Sequence, residues 1–203
     1  MIMGEGWKYI AFILIGYLSG SVLYAEIIPK YLFGIDPAAL SDDHNPGAFN
    51  AFKYAGKKAG ILVIIMELLK GIVPIAFAVR MLDPENMLFA CVLAAPVLGH
   101  AFPFLKWGQG GKAIAVSFGC LIGLLPDVRM VLILVVLYLI FSLVIVILPH
   151  LLRSILTYIL FSLICLWKIK NPAYTVGAFL ISAIVIFKHV IKFEKEPVSI
   201  HLF

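Results

Sequence analysis

Charged side chains are scarce in this chain. Asp, Glu, Lys and Arg make up 13% of its 203 residues, whereas a soluble domain carries about a quarter. Apolar residues reach 63%, and mean hydropathy is +1.08. This balance excludes an ordinary soluble domain, because most of the surface must face something other than water. Cysteine is scarce too. Cys91, Cys120 and Cys165 stand far apart within apolar runs, without CxxC or Cys/His spacing. They read as small buried hydrophobes, so neither a disulfide framework nor a metal site is expected. Several catalytic signatures are missing. None of the five histidines is followed five positions on by Asp, which excludes a simple match to the soluble His/Asp acyltransferases. No Gly-x-Ser-x-Gly or Ser/His/Asp arrangement occurs. The net charge of +5 comes partly from lysines scattered between apolar runs, with no basic stripe for nucleic acid.

What remains is apolar and bilayer-sized. The hydrophobic segments are 8–32, 60–81, 86–105, 113–126, 128–149, 151–168 and 172–191. Residues 60–81 would form a helix of about 33 Å, enough to cross a ~30 Å hydrocarbon core. Segment 113–126 reaches only about 21 Å, so it is expected to be tilted, re-entrant or buried among its neighbours. The expected fold is all-α: a polytopic transmembrane bundle of about seven helices, some short, in one integral membrane domain over residues 1–203. The first segment is too long for a cleavable signal and has no basic region before it. Seven crossings put Lys53, Lys57, Lys58, Lys106, Lys112, Lys188, Lys192 and Lys195 on one side. Lys8, Arg80, Arg129, Lys168 and Lys170 fall on the other. The positive-inside rule then favours an outside N-terminus and a cytoplasmic C-terminus.

Two irregular loops share the predicted cytoplasmic side. Residues 103–112 read PFLKWGQGGK, and residues 34–59 contain His44-Asn45-Pro46-Gly47-Ala48-Phe49-Asn50. Gly110 and Gly111 permit a nest of backbone N–H groups, and Lys112 adds a full charge beside it. A helix starting there would add its positive dipole end, so phosphate is the natural ligand. A plain basic turn between two helices explains the same residues equally well. Gly108-x-Gly110-x-x-Ala113 also fits a dinucleotide pattern, but no strand precedes it. A Walker A loop is excluded because Ala113 stands where Ser or Thr is needed. Asn45, Gly47 and Asn50 suit a polyol or a phosphate, although Asn-Pro-Gly is a turn signal in its own right. Within the spans, Glu67 and Lys70 lie one helical turn apart and are expected to pair. Gly16/Gly20 and Gly119/Gly123 have the spacing of helix-packing glycines.

Taken in order, these clusters resemble the acyl-phosphate-dependent glycerol-3-phosphate acyltransferase family of bacterial membranes. The resemblance covers most of residues 16–126. It runs through Gly20-Ser21 to Glu26 and Lys30, then Asn45-x-Gly47-Ala48-x-Asn50, then GKKAG at 56–60. ELLKG at 67–71 and VLGHAFP at 97–103 follow, leading to Gly110-Gly111-Lys112. The resemblance implies a seven-helix enzyme of the bacterial cell membrane with its site on the cytoplasmic face. It implies acyl transfer from acyl phosphate to the 1-hydroxyl of glycerol 3-phosphate, without a cofactor or an acyl-enzyme. Carried over residue by residue, it makes Lys112, Asn45 and His189 the candidate catalytic groups. Ser21, Gly47, Asn50, Lys53, Lys70, His100, Gly110, Gly111 and Ser154 become candidate substrate contacts. Lys53 stands where the family has Arg, a point charge without the bidentate fork.

The chain departs from the family pattern. Asp42-Asp43-His44 replaces Gly-Ser-Gly before the first Asn, and Ala38 replaces an Arg. Phe49 replaces Thr, Gln109 replaces Lys, and Lys192 replaces an Asn near the C-terminus. Added acids beside a phosphate site weaken anion binding. The alternative is a homologue that binds lipid or phosphate without catalysis, or with another anionic acceptor. A small transporter fits less well, because no inverted repeat is present and the polar groups gather at one face.

Overall fold

The structure is a computed structural model that describes residues 5–41, 44–191 and 199–202. Seven apolar stretches pass between the two ends of one helical bundle. The first is a bent pair, α1 (Gly6–Ser21) and α2 (Tyr24–Phe33), with 40° between them. After the single turn α3 (Pro37–Leu40) come α4 (Ala48–Met81), α5 (Leu88–Ala101) and α6 (Ile114–Ile122). Next are α7 (Arg129–Leu139), prolonged by a π-helical turn at Ile140–Val144, α8 (His150–Lys168) and α9 (Pro172–Ile191). By length and composition α4, α8 and α9 can each cross a membrane, and α1 with α2 can form a fourth span. The remaining passes are shorter. α6 has nine residues, about 13 Å of helix, as the short segment 113–126 foreshadows.

Hydrogen bonds identify the two ends. At one, the Tyr9 hydroxyl donates to the Asp83 carbonyl (2.9 Å), and Asn171 Nδ2 donates to that of Pro84 (3.0 Å). Asp127 also belongs there. Its carboxylate accepts from the Arg129 amide and guanidinium, which holds it below the usual carboxylate range. At the other end, the Tyr17 hydroxyl donates to the Phe102 carbonyl (2.8 Å) and Lys188 Nζ to that of Gly108 (3.3 Å). The chain changes end with each pass. The loops before α4 and after α5 therefore meet the start of α8 and the end of α9.

Two local features differ from the sequence expectation. A two-stranded antiparallel ladder interrupts the all-helical pattern: β1 (Ile145–Leu148) pairs with β2 (Ser199–Leu202). Ile145-Val146-Ile147 is β-branched and suits a strand. Its partner lies more than fifty residues away, and no periodicity announces so remote a pairing. The fifth pass is consequently helical only to Val144, short of the expected 149. The second difference is at α4, which begins at Ala48 inside the expected loop and is broken at Gly56 (φ 86°, ψ 175°). That backbone suits glycine, which has no Cβ to clash. The break separates a short helix bearing Asn50 and Lys53 from the membrane-length portion.

The core sits where helices touch backbone to backbone. α1 crosses α5 so closely that a Cβ on Gly20 would strike the Pro96 carbonyl. One on Gly99 would strike the Tyr17 carbonyl and lie 3.0 Å from the Ser21 amide. Gly119 likewise faces the Leu68 carbonyl of α4. Small residues permit such approach between membrane helices. Gly99→Val should force α1 and α5 apart, at a cost of about 1–3 kcal/mol. It should lower the melting temperature in detergent, whereas Gly6→Ala, in open space, should leave it unchanged.

Candidate active site

A cavity of about 620 Å³ opens at the end shared by the two irregular loops. Ile64, Leu68 and Phe118 give it an apolar wall, and its polar groups come from four directions. The turn before α4 supplies the first. Asn50 Nδ2 donates to the Asn45 carbonyl (2.9 Å), tying the first helical turn back onto Asn45-Pro46-Gly47. Both asparagines are buried. A Cβ on Gly47 would lie 2.7 Å from Asn45 Nδ2, so a larger residue there would displace the Asn45 amide. One turn on, Lys53 reaches the cavity with its ammonium 4.9 Å from the Tyr54 ring centre.

The loop between α5 and α6 supplies the second group. Gly110 packs on the last carbonyls of α5. Gly111 lies against the His100 imidazole, and a Cβ there would be 2.9 Å from the Pro46 carbonyl. Both glycines thus press the loop onto its supports and do not line the cavity, while Lys112 does. The third direction is the end of α9. His189 Nδ1 donates to the Val185 carbonyl (2.8 Å), which leaves Nε2 as the other ring nitrogen of a cavity-lining histidine. The fourth is α8, where Ser154 lies 3.4 Å from the Tyr138 hydroxyl.

Glu67 and His100 line the inner wall, with Lys70 behind them. The Lys70 ammonium meets three acceptors: Glu67 Oε2 (2.7 Å), His100 Nδ1 (2.7 Å) and the Val22 carbonyl (2.7 Å). An ammonium has three donors, so the set is complete. Glu67 Oε1 accepts from the Ala25 amide (3.3 Å), and Oε2 also lies 3.0 Å from His100 Nδ1.

Of the residues singled out from sequence, the cavity gathers Asn45, Gly47, Asn50, Lys53, His100, Lys112, Ser154 and His189. Gly110, Gly111 and Lys70 stand behind its wall. Ser21 lies apart. Its hydroxyl donates to the Tyr17 carbonyl (2.8 Å) and accepts from the Phe104 amide (3.3 Å), joining α1 to the loop. Asp42 and Asp43 lie outside the described residues. His44 is exposed, with Nδ1 3.1 Å from the Ala38 carbonyl. Sequence reasoning missed Tyr138, His150 and Arg153, all of which line the cavity. The signal for Arg153 was present: an ionisable residue just inside an apolar span is a functional candidate by default.

The family model for "Glycerol-3-phosphate acyltransferase" matches residues 10–195. The chain belongs to the glycerol-3-phosphate acyltransferase family. A Hydrogenobaculum relative of that name is 30% identical over 174 residues, 86% of each chain. A Myxococcus xanthus relative is 37% identical over 117 residues, 58% of this chain and 60% of that protein. The second match thus spans less than two thirds of the relative's length. Among solved structures, the crystal structure of PlsY (YgiH), an integral membrane glycerol 3-phosphate acyltransferase, matches in its glycerol 3-phosphate form with a TM-score of 0.78. That chain is 28% identical, with 91% of this chain and 89% of the other covered. Its lysophosphatidic acid form matches with a TM-score of 0.76. This family member is a helical, multi-pass membrane protein.

Within it, the Glu67–Lys70 pair is a stability element. Lys70→Ala should leave Glu67 buried without its ammonium, costing about 3–5 kcal/mol. The double variant Glu67→Met, Lys70→Met should recover most of that loss. Melting temperatures in one detergent compare the two.

Proposed function

We propose that this chain transfers a fatty acyl group from acyl phosphate to the 1-hydroxyl of glycerol 3-phosphate, giving lysophosphatidic acid and phosphate. The observation that carries this reading is the cavity. In a chain of this family, it collects Asn45, Asn50, Lys53, Lys112, Ser154 and His189 at one end of the bundle, beside an apolar wall. The apolar wall suits an acyl chain, and the cations suit two phosphates.

Acyl phosphate is already activated, so no protein nucleophile is needed. The glycerol 1-oxygen attacks the acyl carbonyl carbon, and a C–O bond forms. The tetrahedral adduct collapses, the bond from carbon to the phosphate oxygen breaks, and phosphate leaves. The hydroxyl proton passes to His189 Nε2 and then to the departing phosphate. Lys112 balances charge on the phosphate as it leaves, and Asn45 orients the acceptor. Positioning and fixed charge supply the rate, as expected when two anions must be brought together.

The site end takes the cytoplasmic side of the bacterial cell membrane in this reading, with the N-terminus outside. Lys30, Lys53, Lys57, Lys58, Lys106, Lys112, Arg153 and Lys188 lie at or near that end, against Lys8, Arg80, Arg129, Lys168 and Lys170 at the other. The positive-inside rule supports this placement, which also gives a water-soluble acceptor direct access.

Purified protein given acyl phosphate and labelled glycerol 3-phosphate should form labelled lysophosphatidic acid. Lys112→Ala should lower kcat/KM by about a hundredfold or more. Unchanged turnover in that variant would remove Lys112 from the site. Stabilisation by glycerol 3-phosphate without any product would favour a binding role over catalysis.

A further inference from the structure

Arg153 is the one arginine among the described residues that line the cavity. We propose that Arg153, with Ser154 and Tyr138 beside it, is a phosphate-binding residue of this site, and that the β1–β2 ladder aims its guanidinium. The inference rests on the reading of the cavity as a two-phosphate site.

The charge on Arg153 has no protein counter-ion among the described residues. Its Nε donates to the Ile147 carbonyl (3.2 Å) and its Nη1 to the Ser142 hydroxyl (3.4 Å). Both partners are neutral. Three cations elsewhere meet carboxylates, Lys70 with Glu67, Lys106 with Glu26 and Arg129 with Asp127, whereas Arg80, bonded to the Ala76 carbonyl, is exposed to its surroundings. Arg153 is partly buried at the start of a membrane-length helix, where an unneutralised charge is costly. A charge kept there without a carboxylate is matched to an anion that comes and goes.

The chemistry of the guanidinium narrows the anion. Two of its five N–H donors are engaged, and the planar fork suits a phosphate in a bidentate way that an ammonium cannot match. The cavity's other cations, Lys53 and Lys112, come from α4 and from the loop before α6. Arg153 comes from α8, so the three reach the cavity from separate elements. Each phosphate monoester brings close to two negative charges near neutral pH. Two such groups exceed what Lys53 and Lys112 can balance. Ser154 and Tyr138 add hydroxyls next to the guanidinium.

The tether is unusual for a helical bundle. Ile147 lies in β1, opposite Ile200 of β2. The carbonyl that holds Arg153 Nε therefore belongs to a strand fixed by the C-terminal segment. The guanidinium is positioned before the anion arrives, which lowers the ordering cost of binding.

The test is steady-state kinetics with acyl phosphate and glycerol 3-phosphate varied separately, beside thermal stabilisation by inorganic phosphate. Arg153→Ala should raise the KM of one substrate by about tenfold or more, with a smaller change in kcat. Whichever KM moves identifies the donor or the acceptor as the source of the phosphate. Arg153→Lys keeps the charge without the fork and should recover only part of the loss. Added guanidinium ion should partly restore Arg153→Ala, which a merely structural role would not produce. A folded Arg153→Ala protein with both KM values within twofold of the parent overturns the proposal. If Arg153→Ala does not fold, Arg153→Lys decides, and two unchanged KM values overturn it likewise. If the parent shows no turnover, the functional reading fails but this one is still decided. The phosphate concentration for half-maximal stabilisation should rise about tenfold in the variant, and an unchanged value overturns it.

Discussion

The buried cluster of Glu67, Lys70 and His100 is the joint on which the rest depends. The first pass is interrupted after α1, and an interruption within a membrane exposes backbone groups that lipid cannot satisfy. Ala25 lies in the first turn of α2, so its amide has no acceptor within that helix. Glu67 accepts from it, and Lys70 donates to the Val22 carbonyl beside the break. The same ammonium contacts His100 of α5. The His100 ring in turn supports Gly111, next to Lys112. One ion pair thus links the bent first pass, α4, α5 and the loop that presents a cavity lysine. Removing either charge would disturb all four.

The placement of the cations separates support from function. Lys70 is saturated by protein acceptors, and Lys188 is buried with a bond to the Gly108 carbonyl. These two hold backbone in place. Lys112 and Arg153 line the cavity instead, at the end where the irregular loops meet. Non-helical backbone is tolerated near a membrane where it is packed in protein or lines a wet cavity. Here it does both: Gly110 and Gly111 are packed, and Lys112 is presented.

Sequence made part of this legible. Hydrophobic run lengths gave the seven passes, and their alternation brought the Asn45–Asn50 turn and the Gly110–Lys112 loop to one end. The Glu67–Lys70 spacing announced a pair, but not its tie to Ala25, Val22 and His100, which lie on other elements. The nest reading of Gly110 and Gly111 missed that close packing alone can require glycine. The charge of Arg153 inside a span was visible, but its partners were not: Ile147 sits in a strand completed from the far C-terminal end, and Ser142 in the π-helical turn before it. Contacts set by periodicity were visible; contacts closed over long separations were not.

The bend in the first pass also bears on the order of assembly. A membrane protein is inserted as it is synthesised, N-terminal segments first. Val22 and Ala25 enter the bilayer before Glu67 and Lys70 have been made. Until α4 arrives, the broken first pass lacks the side chains that complete its backbone. The earliest span is thus finished by a later one.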